Sequence, residues 1–267
     1  MANKIDEEDI FASLFAPLTE GDESNNDPSA MSLVDHLEEL RWRIFKSLIA
    51  VAVMSVLAFV FRVYIINFLE LPLPKQADAA IGGGKPIVTG LTEGITTFLM
   101  ISIAVGIVFS LPVILYQAWA FISPGLYVKE KKYAVPFIFI GVALSAVGVS
   151  LGYIVLQYPV QWLVTFSAGS FTELVSASSY FTFVAFFMLA FGVVFEIPLV
   201  LTFLAVVELI SVKTLTKKRA VAHVSMWVAA TFLTPGADLY SPIFLGVSMS
   251  FLYELSIIFI KLTTRKK

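Results

Sequence analysis

The sequence predicts an all-α integral membrane bundle of six transmembrane helices. The N- and C-termini are expected on the cytoplasmic side, and the fifth and sixth spans are expected to be short. Three observations predict it: an apolar excess, six apolar stretches near membrane length, and a one-sided distribution of Lys and Arg. Of 267 residues, 58% are hydrophobic and only 14% charged, with a mean hydropathy of +0.87. A soluble domain carries about 25% charged residues, so lipid has to serve as solvent for this chain. The formal net charge of −2 argues against nucleic-acid binding. No cysteine is present, which excludes disulfides and thiolate chemistry, and two histidines offer little for a metal site.

Residues 1–30 are a separate material. Asp6, Glu7, Glu8, Asp9, Glu20, Asp22, Glu23 and Asp27 stand against a single Lys4. This segment has neither the basic start nor the apolar run of a signal peptide and reads as a disordered, solvated tail. Residues 31–264 form the transmembrane domain, and 265–267 are a basic end. The predicted spans are 44–61, 95–116, 133–156, 180–207, 220–233 and 243–260. About 20 apolar residues cross the hydrocarbon as a helix, and helices satisfy every backbone group where lipid cannot.

Basic residues orient the set. One side carries Arg41, Arg43 and Lys46, then Lys129, Lys131 and Lys132, then Lys213, Lys217, Lys218 and Arg219, and finally Lys261, Arg265, Lys266 and Lys267. The opposite side has Arg62, Lys75 and Lys85. The richer side is cytoplasmic by the positive-inside rule.

Individual residues shape the spans. Ser32 followed by Asp35 has capping-box spacing, so a helix is expected to start there. Glu39 precedes Arg43 by four residues, the favourable orientation for an intrahelical pair. Pro112 and Pro198 are each expected to remove one ladder bond and to bend their helices. Ser102, Gly106 and Ser110, and likewise Gly148 and Gly152, are small residues at four-residue spacing that permit close helix approach. Residues 63–93 and 157–179 are expected as outer loops, and Ser123-Pro124-Gly125 marks a turn on the inner side.

Glu196 lies inside the fourth apolar stretch, where an acidic side chain costs about 2.5–3.5 kcal/mol at the bilayer centre. It therefore faces a cavity or a partner, or it bonds the backbone freed by Pro198. Glu254 in the last span poses a weaker version of the same question, and His36 and His223 read as interfacial polar contacts. Neither His-Glu-x-x-His, Gly-x-Ser-x-Gly nor a phosphate loop is present, so an enzyme is not expected.

The run His36-Leu37-Glu38-Glu39-Leu40-Arg41-Trp42-Arg43 resembles the amino-terminal signature of TatC, the multispanning subunit of the twin-arginine protein translocase. The resemblance continues through Pro112, Gln117, Phe121, Pro124-Gly125-Leu126-Tyr127 and Glu130. Phe195-Glu196-Ile197-Pro198, Leu233-Thr234-Pro235 and Tyr253-Glu254 extend it. It implies a receptor in the bacterial plasma membrane, or an organellar equivalent, for folded precursors bearing twin-arginine signal peptides. TatA-like and TatB-like single-span subunits are implied as partners in an oligomeric complex, with the proton-motive force as the drive and no cofactor or metal. Glu39 and Glu130 would contact the arginine pair, with Arg41, Phe121, Leu126 and Tyr127 shaping that surface. Glu196 would be an intramembrane polar site, and Thr231, Thr234, Asp238 and Ser241 would mark a partner-docking region. Two departures fall in that region: Gly236-Ala237-Asp238 is one residue longer than the common family turn, and Pro242 stands where some members carry glutamine. The competing reading is a secondary transporter of a small solute or ion using an intramembrane carboxylate. Such a fold should show internal repeats, and the two halves of this chain show no convincing one.

Overall fold

The computed structural model describes residues 33–73, 85–122, 134–166, 175–236 and 238–264. The acidic tail, Ser32, most of the long outer loop, the inner loop 123–133 and the basic end lie outside these residues. The chain divides into two units, Met1–Arg41 and Trp42–Lys267. Among the described residues the regular elements are helices, numbered here in chain order, and the one exception is an isolated bridge between Ile87 and Ser176.

Helix α1 (Leu33–Val60) takes in the amphipathic segment 33–43 and the first span as one helix. Its transmembrane part touches α3 (Glu93–Ile122) closely at Gly106, where an added Cβ would lie 2.7 Å from the Ser55 nitrogen. Gly106 is thus the contact that its spacing suggested. Arg43 donates from Nη1 to Gln117 Oε1 of α3 at 3.4 Å.

The segment after α1 corrects the expectation of a loop, because Arg62–Glu70 is a helix, α2. Carbonyls at a helix C-terminus have no intrahelical partner, and two tyrosines supply partners here. Tyr153 donates to the Phe68 carbonyl at 2.8 Å while its ring stacks on Phe68 at 4.4 Å, and Tyr180 donates to the Leu69 carbonyl at 2.7 Å.

The prolines differ in effect. Pro112 sits inside the 30-residue α3 without ending it. Membrane helices tolerate an internal proline where neighbours and hydroxyls hold the flanking turns, and Ser110 Oγ, fully buried, donates to the Gly106 carbonyl at 2.7 Å. Pro198 does break its span, as expected. Helix α6 (Ala177–Val194) stops at the carbonyl four residues before it, and α7 (Ile197–Val206) restarts with the proline in its first turn. Pro159 acts in the same way on the third span, dividing α4 (Ala134–Val155) from α5 (Gln157–Phe166). The expected outer loop 157–179 therefore begins as a helix.

Glu208 closes α7 with φ of 62°, a left-handed residue that lets Leu209 and Ile210 donate back to the Leu204 carbonyl at 3.0 and 3.2 Å. A short α8 (Val212–Lys217) follows, then α9 (Arg219–Leu233) and α10 (Tyr240–Thr264). At 15 residues α9 reaches about 22 Å, short of a hydrocarbon core of roughly 30 Å. The sixth stretch is not short: α10 has 25 residues, because Tyr240 and Ser241 at one end and Lys261 to Thr264 at the other continue the ladder beyond the apolar run. Five segments have the length and apolarity to cross a membrane, and α9 is a shorter apolar helix.

The core lies where α4, α6 and α10 meet their neighbours. Phe187, Phe191, Leu156, Leu245 and Ile257 are fully buried. On α4 the residues Gly141, Ser145, Gly148 and Gly152 form a groove of small side chains, at i, i+4, i+7 and i+11, that receives the broken α6–α7 helix. A Cβ at Gly148 would lie 2.7 Å from the Phe191 carbonyl oxygen, and one at Gly152 would lie 3.0 Å from Phe191 Cβ.

The chain before α3 is tied to the start of α6. Ile87 accepts from Ala177 at 2.8 Å and donates to Val175 at 2.9 Å. Glu93 fastens both sides: one carboxylate oxygen accepts from the Thr89 amide, the Thr89 hydroxyl and the Gly90 amide, at 2.6, 2.8 and 3.0 Å. The other accepts from the Ser176 hydroxyl and the Ser178 amide, at 2.7 and 3.0 Å. Glu93→Ala is expected to raise amide exchange at 87–90 and 176–179 by roughly tenfold or more while the buried helices stay protected. Hydrogen-exchange mass spectrometry checks this, and unchanged protection of both segments would count against the role given to Glu93.

Candidate functional site

The residues marked in the sequence fall into four groups. The first belongs to the opening turns of α1. His36 Nδ1 lies 4.0 Å from Glu39 Oε2, and the Glu39 side chain is 17% exposed. Arg41 Nη2 donates to Glu38 Oε1 at 3.0 Å, both side chains being largely exposed. The helix makes these neighbours, since residues three apart share a face. Glu38, Glu39 and Arg41 thus present two carboxylates and one guanidinium within one turn.

The second group is the C-terminal end of α3. Phe121 stands in its last turn, half-buried. Behind it Trp119 packs on Phe137 of α4 and Phe203 of α7, with ring centroids 5.3 and 5.2 Å apart. This aromatic trio fixes the helix end from which the inner loop departs. Leu126, Tyr127 and Glu130 lie on that loop, outside the described residues.

The third is Glu196, at the break between α6 and α7. Its Oε1 is hydrogen-bonded to the Ser145 hydroxyl of α4, which also lies 3.4 Å from the Gly192 carbonyl. Its Oε2 is buried beside Gly141, where an added Cβ would stand 3.1 Å away, and has no hydrogen-bond partner among the described residues. Glu196 therefore bonds across to α4 rather than to the backbone freed by Pro198. Ser145 is a partner that no local pattern indicates, 51 residues distant in sequence.

The fourth is the turn between α9 and α10. Thr234, Asp238 and Ser241 are buried, while Thr231 is exposed and donates to the Val228 carbonyl at 2.6 Å. Asp238 Oδ1 accepts from the Ser241 amide at 2.6 Å, holding the first turn of α10. Three of the four residues expected at a docking surface are thus buried within this chain, Asp238 and Thr234 bonding the turn's own backbone. Phe232 and Leu239, 86% and 62% exposed, form the outward surface of that turn.

One further cluster joins α9 to α10. Glu254 of α10 accepts from Arg219 Nη2 at 2.8 Å and lies 3.2 Å from His223 Nε2. Arg219 and His223, four residues apart on α9, together bracket the carboxylate. Tyr253 donates to the Leu215 carbonyl at 2.9 Å, so α8 and the start of α9 are tied to α10 by polar contacts. The His223 reading as a polar contact holds, and Glu254 is a partner in it.

The family model of the Sec-independent protein translocase protein TatC matches residues 35–247, from the first turn of α1 into α10. The chain belongs to the TatC family. It is 40% identical over 235 residues to the Sec-independent protein translocase protein TatC of Desulforapulum autotrophicum, covering 87% of this chain and 85% of that one. It is 34% identical to the Aquifex aeolicus TatC, covering 89% and 98% respectively. A crystal structure of the twin arginine translocase receptor TatC superposes with a TM-score of 0.73 at 32% identity, over 84% of this chain and 98% of the other. As a TatC-family chain it is a multi-pass membrane component of a protein translocase, serving protein transport rather than classical enzymatic chemistry. A solute transporter is not favoured by this membership. The TatC match begins beyond the acidic tail and ends within α10.

Proposed function

We propose that this chain is the signal-peptide receptor of a twin-arginine translocase in the bacterial plasma membrane. In this reading it spans the bilayer six times, with both termini cytoplasmic, and α9 crosses where the bilayer thins beside it. Glu39 and Glu130 bind the arginine pair of the signal, while Arg41, Phe121, Leu126 and Tyr127 shape the surrounding surface. TatA-like and TatB-like single-span subunits assemble with it, and the proton-motive force drives export of folded cargo.

The observation that carries the reading is the set of carboxylates in the first turns of α1, within a chain of this family. Arginine's planar fork pairs bidentately with carboxylate, which lysine's ammonium cannot reproduce. The apolar part of the signal, lying along the bundle in lipid, adds strength that is indifferent to arginine. Partner subunits meet Thr231 together with Phe232 and Leu239, the exposed part of the α9–α10 turn. Glu196 gives the membrane face a polar point for the signal or for a partner helix.

Co-purification with a precursor bearing the arginine pair, and with its Lys-Lys version, tests the function. Capture of the first alone is expected; equal capture of both would overturn arginine recognition. A second test concerns Glu196. Glu196→Gln keeps the shape and a bond to Ser145 but removes the charge, and it is expected to reduce export in cells while leaving the protein inserted and stable. Unaltered export would leave Glu196 a structural residue.

A further inference from the structure

An apolar cavity of about 390 Å³ lies beneath α2. Ile65 and Leu69 of α2 roof it, Ile101 and Val105 of α3 form one wall, and Ala185 and Met188 of α6 form the other. Of its lining side chains only Tyr64, at the edge, bears a polar atom. Such a cavity holds no ordered water, which needs two to four polar partners. From Ile101 to Phe109 the α3 wall descends about 12 Å. A narrow, apolar space of this kind suits a single extended hydrocarbon chain.

Charge stands within one turn of this lining on α2. Arg62 precedes Ile65 and Leu69 on the same face of α2, and its guanidinium lies 5.6 Å from the ring of Phe98, one turn before Ile101 on α3. It packs on Phe59 at 4.7 Å, and Nη1 donates to the Phe59 carbonyl at 3.0 Å. Among the described residues no carboxylate pairs with it. A guanidinium has five N–H donors in a fork that matches phosphate. We propose that this crevice holds one acyl chain of an anionic phospholipid whose phosphate sits on Arg62. The inference uses the membrane placement given above but not the recognition of signal peptides.

The test reconstitutes the full chain into vesicles of phosphatidylethanolamine and phosphatidylglycerol doped with phosphatidylglycerol carrying a diazirine in one acyl chain. After illumination, adducts are mapped by mass spectrometry. Adducts concentrated on Val105, Ala185 and Met188 are expected, above those on the lipid-facing Phe251 and Phe259 of α10. Ala104→Phe and Ala185→Phe fill the crevice from opposite walls, and each is expected to lower its labelling by roughly tenfold, the effect of about 1.4 kcal/mol. Labelling of α10 should persist and thereby report a folded bundle. Arg62→Gln should abolish the advantage of labelled phosphatidylglycerol over an equally labelled phosphatidylethanolamine. Labelling spread evenly over lipid-facing helices, indifference to both filling variants, or unchanged headgroup preference in Arg62→Gln would each overturn the proposal. Displacement of the crevice adducts by a twin-arginine signal peptide would also overturn it, by giving the crevice to the peptide.

Discussion

Replacing Glu39 and Glu130 together by alanine is expected to weaken binding of a twin-arginine signal peptide by about 10²–10⁴-fold. Each carboxylate makes a charge-assisted contact to guanidinium worth about 1.5–3 kcal/mol, and the two sum to about 3–6 kcal/mol, which sets the range. Neither residue belongs to the apolar core of the described residues: Glu39 stands in the opening turns of α1, and Glu130 lies on the loop between α3 and α4. The protein should therefore remain inserted and extractable at wild-type level. Fluorescence anisotropy of a labelled signal peptide against the reconstituted protein measures the change. The Lys-Lys peptide supplies an internal comparison: it should bind wild type weakly and lose little further in the double variant. A double variant that retained wild-type affinity would remove both residues from the recognition surface.

Gly148→Leu is expected to have the largest effect on stability. The Cβ alone would lie 2.7 Å from the Phe191 carbonyl oxygen and from Phe195 Cγ, and 2.8 Å from Phe195 Cβ. Backbone at the end of α6 cannot give way as a flexible side-chain tip can, so α4 and α6 must separate. Overpacking of this kind costs about 1–3 kcal/mol, which for a domain of this size lowers Tm by roughly 3–10 °C. Separation would also pull Ser145 from Glu196, because both lie on the same α4–α6 seam. Gly94→Ala is the control. Nothing lies within 4 Å of its Cβ position, and alanine favours a helix over glycine by about 0.5–1 kcal/mol, so this variant should be neutral or slightly stabilising. Thermal unfolding in detergent reads both. Equal melting of Gly148→Leu and wild type would contradict the packing described for α4.

What the sequence revealed follows the range over which each feature acts. Apolar runs, the Pro198 break and the small residues on α3 and α4 are local and were legible. Pro112 leaves its helix continuous where Pro198 ends one, a difference that no local pattern shows, and Pro159 was passed over because an outer loop was expected there. The length of α10 was underestimated, since hydropathy marks what lipid covers while the hydrogen-bond ladder continues through Ser241 and Lys261. The partners of Glu196 and Glu254, at separations of 51 and 31 residues, are invisible without the fold.

Glu93 shows the limit most plainly. The sequence places it only at the end of an expected loop, yet it accepts bonds from two segments more than 80 residues apart. Only its reach back to the Gly90 amide has a local signature, half of a capping box. Thr234, Asp238 and Ser241 show what composition cannot give, namely burial. The resemblance marked them for docking, and within this chain all three are buried, with Asp238 accepting from the Ser241 amide.

The most direct measurement places a photo-crosslinking residue beside the arginine pair of a precursor signal and maps its adducts on this protein in native membranes. Adducts on the opening turns of α1 and on residues 121–130, lost when the pair becomes Lys-Lys, are the expected result. Adducts confined to other surfaces, or unchanged by the lysine substitution, would contradict recognition of arginine by Glu39 and Glu130.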